Sequence, residues 1–185
     1  MLQVNRGLEK LSLRKNDLNC DAIFTIKNLI LENNKLRVLD LSCNKIAFNG
    51  CEALAEILTS KYCVLESLIM SSNRVGHYGA KAIAQSLSKN RTLMHLDLTR
   101  NEIDDNGLKM IAESLETNEN LVSLKLYWNH FGQMSLREFH KLAKRRENSA
   151  TFWDFTTYIV DNEIQMAEVE NHIKYDVKVS KPYFV

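Results

Sequence analysis

Residues 36–44 read LRVLDLSCN, and the same phrase, LxxLxLxxN, returns as LEKLSLRKN (8–16), LESLIMSSN (65–73, with Met70 in the third leucine's place), LMHLDLTRN (93–101) and LVSLKLYWN (121–129). Its asparagines, Asn16, Asn44, Asn73, Asn101 and Asn129, stand 28, 29, 28 and 28 residues apart. A phrase recurring at a fixed period of this length predicts a solenoid, in which each unit packs only on its neighbours. It also places function on a surface and away from any catalytic pocket.

Alternation inside the phrase predicts a short strand with one face turned inward. In the second copy Leu36, Leu39 and Leu41 are expected to point into the core, and Val38, Asp40 and Ser42 outward. The asparagine amide carries two donors and an acceptor oxygen. It suits the point where the chain leaves the strand and backbone groups lose their ladder partners. The rest of each unit has helical periodicity. Ile26, Leu54, Ile83, Ile111 and Phe139 share one offset from the first leucine, and Ile30, Leu58, Leu87 and Leu115 follow a turn later on the same face. Asp21, Asn49 and Asn106 are expected to cap the helix starts. Gly50, Gly79 and Gly107 come next, where a missing side chain suits close approach of neighbouring helices. A strand and a helix cannot bury their apolar faces alone. The expected fold is therefore an α/β solenoid, a horseshoe arc with parallel strands on its concave side and helices on its convex side.

Five such units occupy residues 1–146, starting near 8, 36, 65, 93 and 121. The segment MLQVNRG in front of them shows no capping helix, so preceding repeats or a partner are expected to cover this end. Residues 147–185 break the period and read as a cap or tail. Phe152, Trp153 and Phe155 supply aromatic area to cover the last repeat. Two alternating segments then flank Asp161-Asn162, a plausible hairpin turn. The closing KPYFV shows no element.

Composition narrows the function classes. The chain has 185 residues, 45% of them hydrophobic, and a net charge of +1. That balance disfavours a bulk electrostatic attraction to nucleic acid or membrane. No apolar run approaches the ~18 residues of a spanning helix, and the front lacks a signal-peptide stretch, so an intracellular protein is expected. Cys20, Cys43, Cys51 and Cys63 have no zinc-site spacing and read as free thiols. Histidines 77, 95, 130, 140 and 172 are scattered, phosphate-binding glycine motifs are absent, and no nucleophile has a catalytic context. The expectation is a non-enzymatic protein without cofactor or metal. Asn90-Arg91-Thr92 matches a glycosylation acceptor by chance.

The variable strand positions set the concave face. Tyr127 and Trp128 stand out there, with Arg100 one repeat back, because Tyr, Trp and Arg commonly anchor interfaces. With His95 and Lys125 they form the candidate partner-binding set. Trp128 has an alternative place, packed beneath the C-terminal tail as part of the cap. Lys141, Lys144, Arg145 and Arg146 end the last repeat, where they suit a helix C-terminus or a nuclear-import signal.

The strand-plus-helix unit and its long period resemble the ribonuclease-inhibitor class of leucine-rich repeats over residues 8 to about 146. The tail FWDFTTYIVDNEIQMAEVEN (152–171) is similar to the ending of the leucine-rich repeat-containing protein 34 group. These resemblances imply an intracellular scaffold for protein partners, part of a larger assembly. The context implied is cytoplasmic, with the nucleolus and ribosome production or the ciliary axoneme as settings. Ran GTPase-activating proteins share the repeat type, so regulation of a small GTPase is the alternative. Ribonuclease inhibition is disfavoured, because a basic ribonuclease prefers a strongly acidic face and this one carries Lys10, Arg14, Lys15 and Arg100.

Overall fold

The computed structural model describes residues 7–146 and 152–169. The first six residues, the 147–151 link and the end from 170, with His172 and the KPYFV phrase, lie outside the described residues. Three-residue strands alternate with helices: β1 (Lys10–Ser12), α1 (Cys20–Asn33), β2 (Val38–Asp40), α2 (Phe48–Thr59), β3 (Ser67–Ile69), α3 (Gly76–Leu87), β4 (His95–Asp97), α4 (Asp105–Ser114), β5 (Ser123–Lys125) and α5 (Gln133–Arg145). A sixth strand, β6 (Phe152–Trp153), continues the same parallel sheet in the order β1 to β6. The register stacks Leu11, Leu39, Leu68, Leu96 and Leu124 in one row, and Trp153 ends it. Beyond β6, β7 (Phe155–Val160) and β8 (Glu163–Glu168) form an antiparallel hairpin. Asp161 and Asn162 both take positive φ in its two-residue turn.

The core is the sum of these rows. Leu36, Leu65, Leu93 and Leu121 are buried, as are Leu54, Ile83, Ile111 and Phe139 from the helices. Each such leucine stabilises by about 2 kcal/mol. Ile46, Val75 and Ile103 close the loop between strand and helix. A Cβ on Gly79 would lie 2.9 Å from Val75 and 3.0 Å from Cys51 Sγ, and on Gly107 3.0 Å from Ala80 Cβ. The glycines thus let successive helix starts touch.

Two expectations need correction. Ser42 does not point outward into solvent; it is buried, its hydroxyl donating to Asp40 Oδ1 at 2.6 Å. The N-caps also lie two residues earlier than Asp21, Asn49 and Asn106, which sit within the first turns. Asn19 caps α1 by accepting from Ala22 N, and Asp104 caps α4 by accepting from Gly107 N. The loop after the repeat asparagine is shorter than its polar residues suggest.

The asparagine column works between coils. Asn44 Nδ2 donates to Leu13 O of the preceding coil at 2.9 Å and to Leu41 O of its own at 2.8 Å. Its Oδ1 accepts from Asn16 N and Leu18 N. Asn73 and Asn129 repeat the pattern. Asn101 is buried and donates likewise, yet its Oδ1 has no partner. The loop it faces is different: Val75 is helical, Gly76 takes φ +58°, and Gly76 N donates to Asn101 O instead.

A second column supports the turns from helix to strand. Asn90 Nδ2 donates to Leu58 O and Asn118 Nδ2 to Leu87 O, each at 2.7 Å. Both side chains accept from the first N–H groups of the next strand segment. Arg146 takes the following place, its guanidinium donating to Leu115 O and Asn118 O. Asp154 similarly ends the sheet, accepting from Leu126 N at 2.8 Å and Tyr127 N at 3.0 Å. In earlier coils the next strand's carbonyls accept such N–H groups, as Asp97 O does from Met70 N.

Candidate protein-binding face

The residue before each repeat asparagine is left-handed: Lys15, Cys43, Ser72, Arg100 and Trp128 have φ between 55° and 61°. Without a glycine this conformation costs about 1–2 kcal/mol per residue, and the amide bonds beside it hold it in place. The kink turns the chain out of the strand and presents one side chain per coil at the rim. In the fourth and fifth coils these are Arg100 and Trp128. The Arg100 guanidinium lies 4.9 Å from the Trp128 ring centroid, and Tyr127 meets Trp128 edge-on at 5.5 Å.

Around them is a cavity of about 490 Å³ whose walls include Asp97, Thr99, Arg100, Lys125, Tyr127, Trp128, Asp154 and Glu168. A groove of about 560 Å³ adjoins it along the strand face, past Lys125 and Asp97 to His95, Ile69, Val38 and Lys10. Four of the five residues singled out from sequence therefore meet at one corner. His95 lines the groove instead, and Lys125 borders both. Trp128 is 61% exposed and does not pack beneath the hairpin. The cap is built from other rings: Phe139 and Phe155 meet at 5.0 Å, and Trp153 stacks on Phe155 at 5.6 Å.

Electrostatics at the corner is mixed. Burial pushes the Asp154 carboxyl above the usual carboxylate range; the Leu126 and Tyr127 N–H groups oppose this and neighbouring Asp97 adds to it. Burial raises the Tyr127 hydroxyl, as does Glu168, to which it hydrogen-bonds. Burial lowers His95, with Glu66 opposing. Asp154 and Glu168 escaped the sequence reading because they lie outside the repeat phrase. One signal was present, since Phe152 and Trp153 fall 29 residues after Ser123 and Leu124, their strand partners.

The basic cluster divides. Arg146 is committed to the carbonyls above, Arg145 pairs with Glu116 at 2.9 Å, and Lys141 with Glu138 at 2.7 Å. Asn90, in the apparent glycosylation motif, is a buried structural amide. The four cysteines are free, and burial, then Cys20 and Glu52, pushes the Cys51 thiol up to about 12. Among the described residues, no cluster of His, Cys, Asp and Glu is grouped to hold a metal ion, and no helix is long and apolar enough to cross a membrane.

The family model for Leucine Rich repeat matches residues 32–55, 63–84 and 89–112. Over 92 residues the chain is 33% identical to NACHT, LRR and PYD domains-containing protein 9 of Bos taurus, covering 50% of this chain and 9% of that protein. It is 30% identical over 99 residues to the ribonuclease inhibitor of Sus scrofa, covering 54% and 22%. The chain thus spans less than a quarter of these relatives' length. Among solved structures, leiomodin-1 actin-binding site 2 aligns with a TM-score of 0.61 at 19% identity, over 80% of this chain and 90% of that one. A tropomodulin C-terminal domain from Caenorhabditis elegans aligns at 0.56 and 13%, over 80% and 93%. At such identities the likeness is one of fold. The repeating coils of this chain are leucine-rich repeats of the ribonuclease-inhibitor-like type, stacked as an α/β solenoid.

Proposed function

We propose that this chain is a non-enzymatic protein-binding scaffold, and that the corner formed by Arg100, Lys125, Tyr127 and Trp128 anchors its partner. The observation that carries this reading is Trp128, a large ring left in solvent on a strained backbone, with a guanidinium over its face. Such a ring adds little to the fold and much to an interface, where Trp, Tyr and Arg concentrate binding energy. The adjoining groove supplies area for a partner of ordinary size, about 800 Å² a side. The same reading puts the protein inside a larger intracellular assembly, of the nucleolar kind that the tail's resemblance to the leucine-rich repeat-containing protein 34 group implies or of the ciliary kind that other repeat proteins of this type serve.

Proximity labelling in cells with the native chain and with Trp128→Ala tests both parts. The variant is expected to keep its unfolding free energy within about 0.5 kcal/mol of the native chain, the range of a neutral surface change, and to lose a defined set of neighbours. Unchanged neighbours would remove the corner from the interface, and a large drop in stability would return Trp128 to a structural role. The sorting of the native set, axonemal or nucleolar, decides the setting. The GTPase-regulating alternative is tested separately by GTP hydrolysis with candidate GTPases, where flat rates remove it.

A further inference from the structure

Strand β7 reads FTTYIV: six residues without charge or proline, every one aromatic or β-branched. These residue types have the strongest preference for sheets, and on an open edge they form a template for another strand. Among the described residues its only strand partner is β8. The pairing fixes which backbone groups remain. Val169 N donates to Asp154 O at 3.0 Å, and the register continues as Thr156 with Ala167, Tyr158 with Gln165 and Val160 with Glu163. Antiparallel strands alternate bonded and non-bonded pairs. The even-numbered residues therefore bond to β8, and Phe155, Thr157 and Ile159 turn their N–H and C=O groups to the outer edge. The end of the strand is also bare, with Ile159 57% exposed and Tyr158 and Val160 nearly as open.

From this we infer that two copies of the chain associate through the outer edges of β7, antiparallel about a two-fold axis, giving a four-stranded sheet in the order β8, β7, β7, β8. A second copy fits this edge because the edge is its own complement. A two-fold axis through Tyr158 sets Thr157 opposite Ile159 in the bonded positions and Thr156 opposite Val160 on the open face, with the two Tyr158 rings side by side. No charge is buried or opposed. The outer edge of β8 is guarded, since Glu163 and Glu168 mark its two ends and like charges across a strand pair repel. The contact is isologous and closes as a dimer. Two six-residue strands bury well under the roughly 800 Å² per partner of a standard interface, so assembly depends on concentration.

Sedimentation equilibrium and light scattering on the whole chain test this. The mass is expected to rise with concentration from 21.4 kDa to twice that value. Ile159→Lys and Ile159→Pro are expected to hold it at the monomer value with an unchanged circular dichroism spectrum, because the Ile159 N–H is not used within the hairpin. Hydrogen exchange at Thr157 and Ile159 slows as the dimer forms, and Tyr158 and Val160 exchange as before. A monomer up to about 0.5 mM, far above the micromolar range of weak specific complexes, overturns the inference. So does a dimer that survives both substitutions.

Discussion

The first and fifth coils carry the same phrase and differ in what lies beyond them. In the first, Leu8, Leu11, Leu13 and Leu18 remain half-buried, and among the described residues exposed Asn16 Nδ2 donates to Arg14 O of its own coil alone. In the fifth, the counterparts Leu121, Leu124 and Leu126 are fully buried. Three kinds of residue stand in there for a missing sixth coil. Phe155 and Trp153 replace its leucines, Arg146 its turn asparagine and Asp154 its strand carbonyl. A repeat therefore ends well when side chains reproduce the groups that the next backbone would have offered.

The contrast is broken most severely by removing the aromatic cap. Phe155→Ala is expected to cost about 3–5 kcal/mol, as for other buried aromatics, and Leu11→Ala in the open coil roughly 1 kcal/mol, because half of that side chain already faces water. Urea unfolding of both variants measures the difference, and equal losses would mean the two ends are equivalent. A smaller gap separates the amide columns. Asn118→Ala leaves Leu87 O and two N–H groups without their partner and is expected to cost about 1–3 kcal/mol; Asn16→Ala stays within about 0.5 kcal/mol.

The smallest effect is one of pH. Asp105 accepts from Gly132, Met134 and Ser135 N–H groups at the start of α5. Burial raises its carboxyl, but bonds from Ser135, then Met134 and Gly132, outweigh this and hold it below the usual range. Its contribution is present above the unfolded value of 3.8 and lost as pH falls through the lower folded value. Asp105→Ala is expected to cost about 1 kcal/mol at neutral pH and to flatten the acid limb of the stability curve. Asp154 has the opposite sign: its raised folded value makes stability fall as pH climbs above 3.8. Asp154→Asn removes that opposing slope, so stability should rise more steeply with pH just above 3.8 than in the native chain. Unfolding curves collected from pH 3 to 7 separate the two aspartates.

Much of this was legible in residues 8–146 because period and chemistry coincide there. The LxxLxLxxN phrase states which side chains stack, and Leu39 does lie over Leu68. Two of the misses share a cause: their partners sit about one coil away. Asp105 caps not its own helix but the next, 27 to 30 residues on. Arg146 holds the place of a third turn asparagine, 28 residues after Asn118, in a chemistry that a match by residue identity passes over. Ser42 looked like a surface residue because alternation does not register the Asp40 bond that draws it in. At the corner, Arg100, Tyr127 and Trp128 were readable as surface aromatics and cation. Their closing wall was not, since Asp154 and Glu168 come from a segment outside the period.

The amides of Asn44, Asn73, Asn101 and Asn129 all reach backwards, donating to Leu13, Leu41, Met70 and Leu98 of the coil before. The stack consequently has an arrow. Deleting a leading coil strips these amides of their acceptors and deleting a trailing one strips carbonyls of their donors, each at a new end face, but the trailing end also carries the ring cap of Phe139, Trp153 and Phe155. Melting of such a chain should therefore begin at its lower-numbered end, away from that cap.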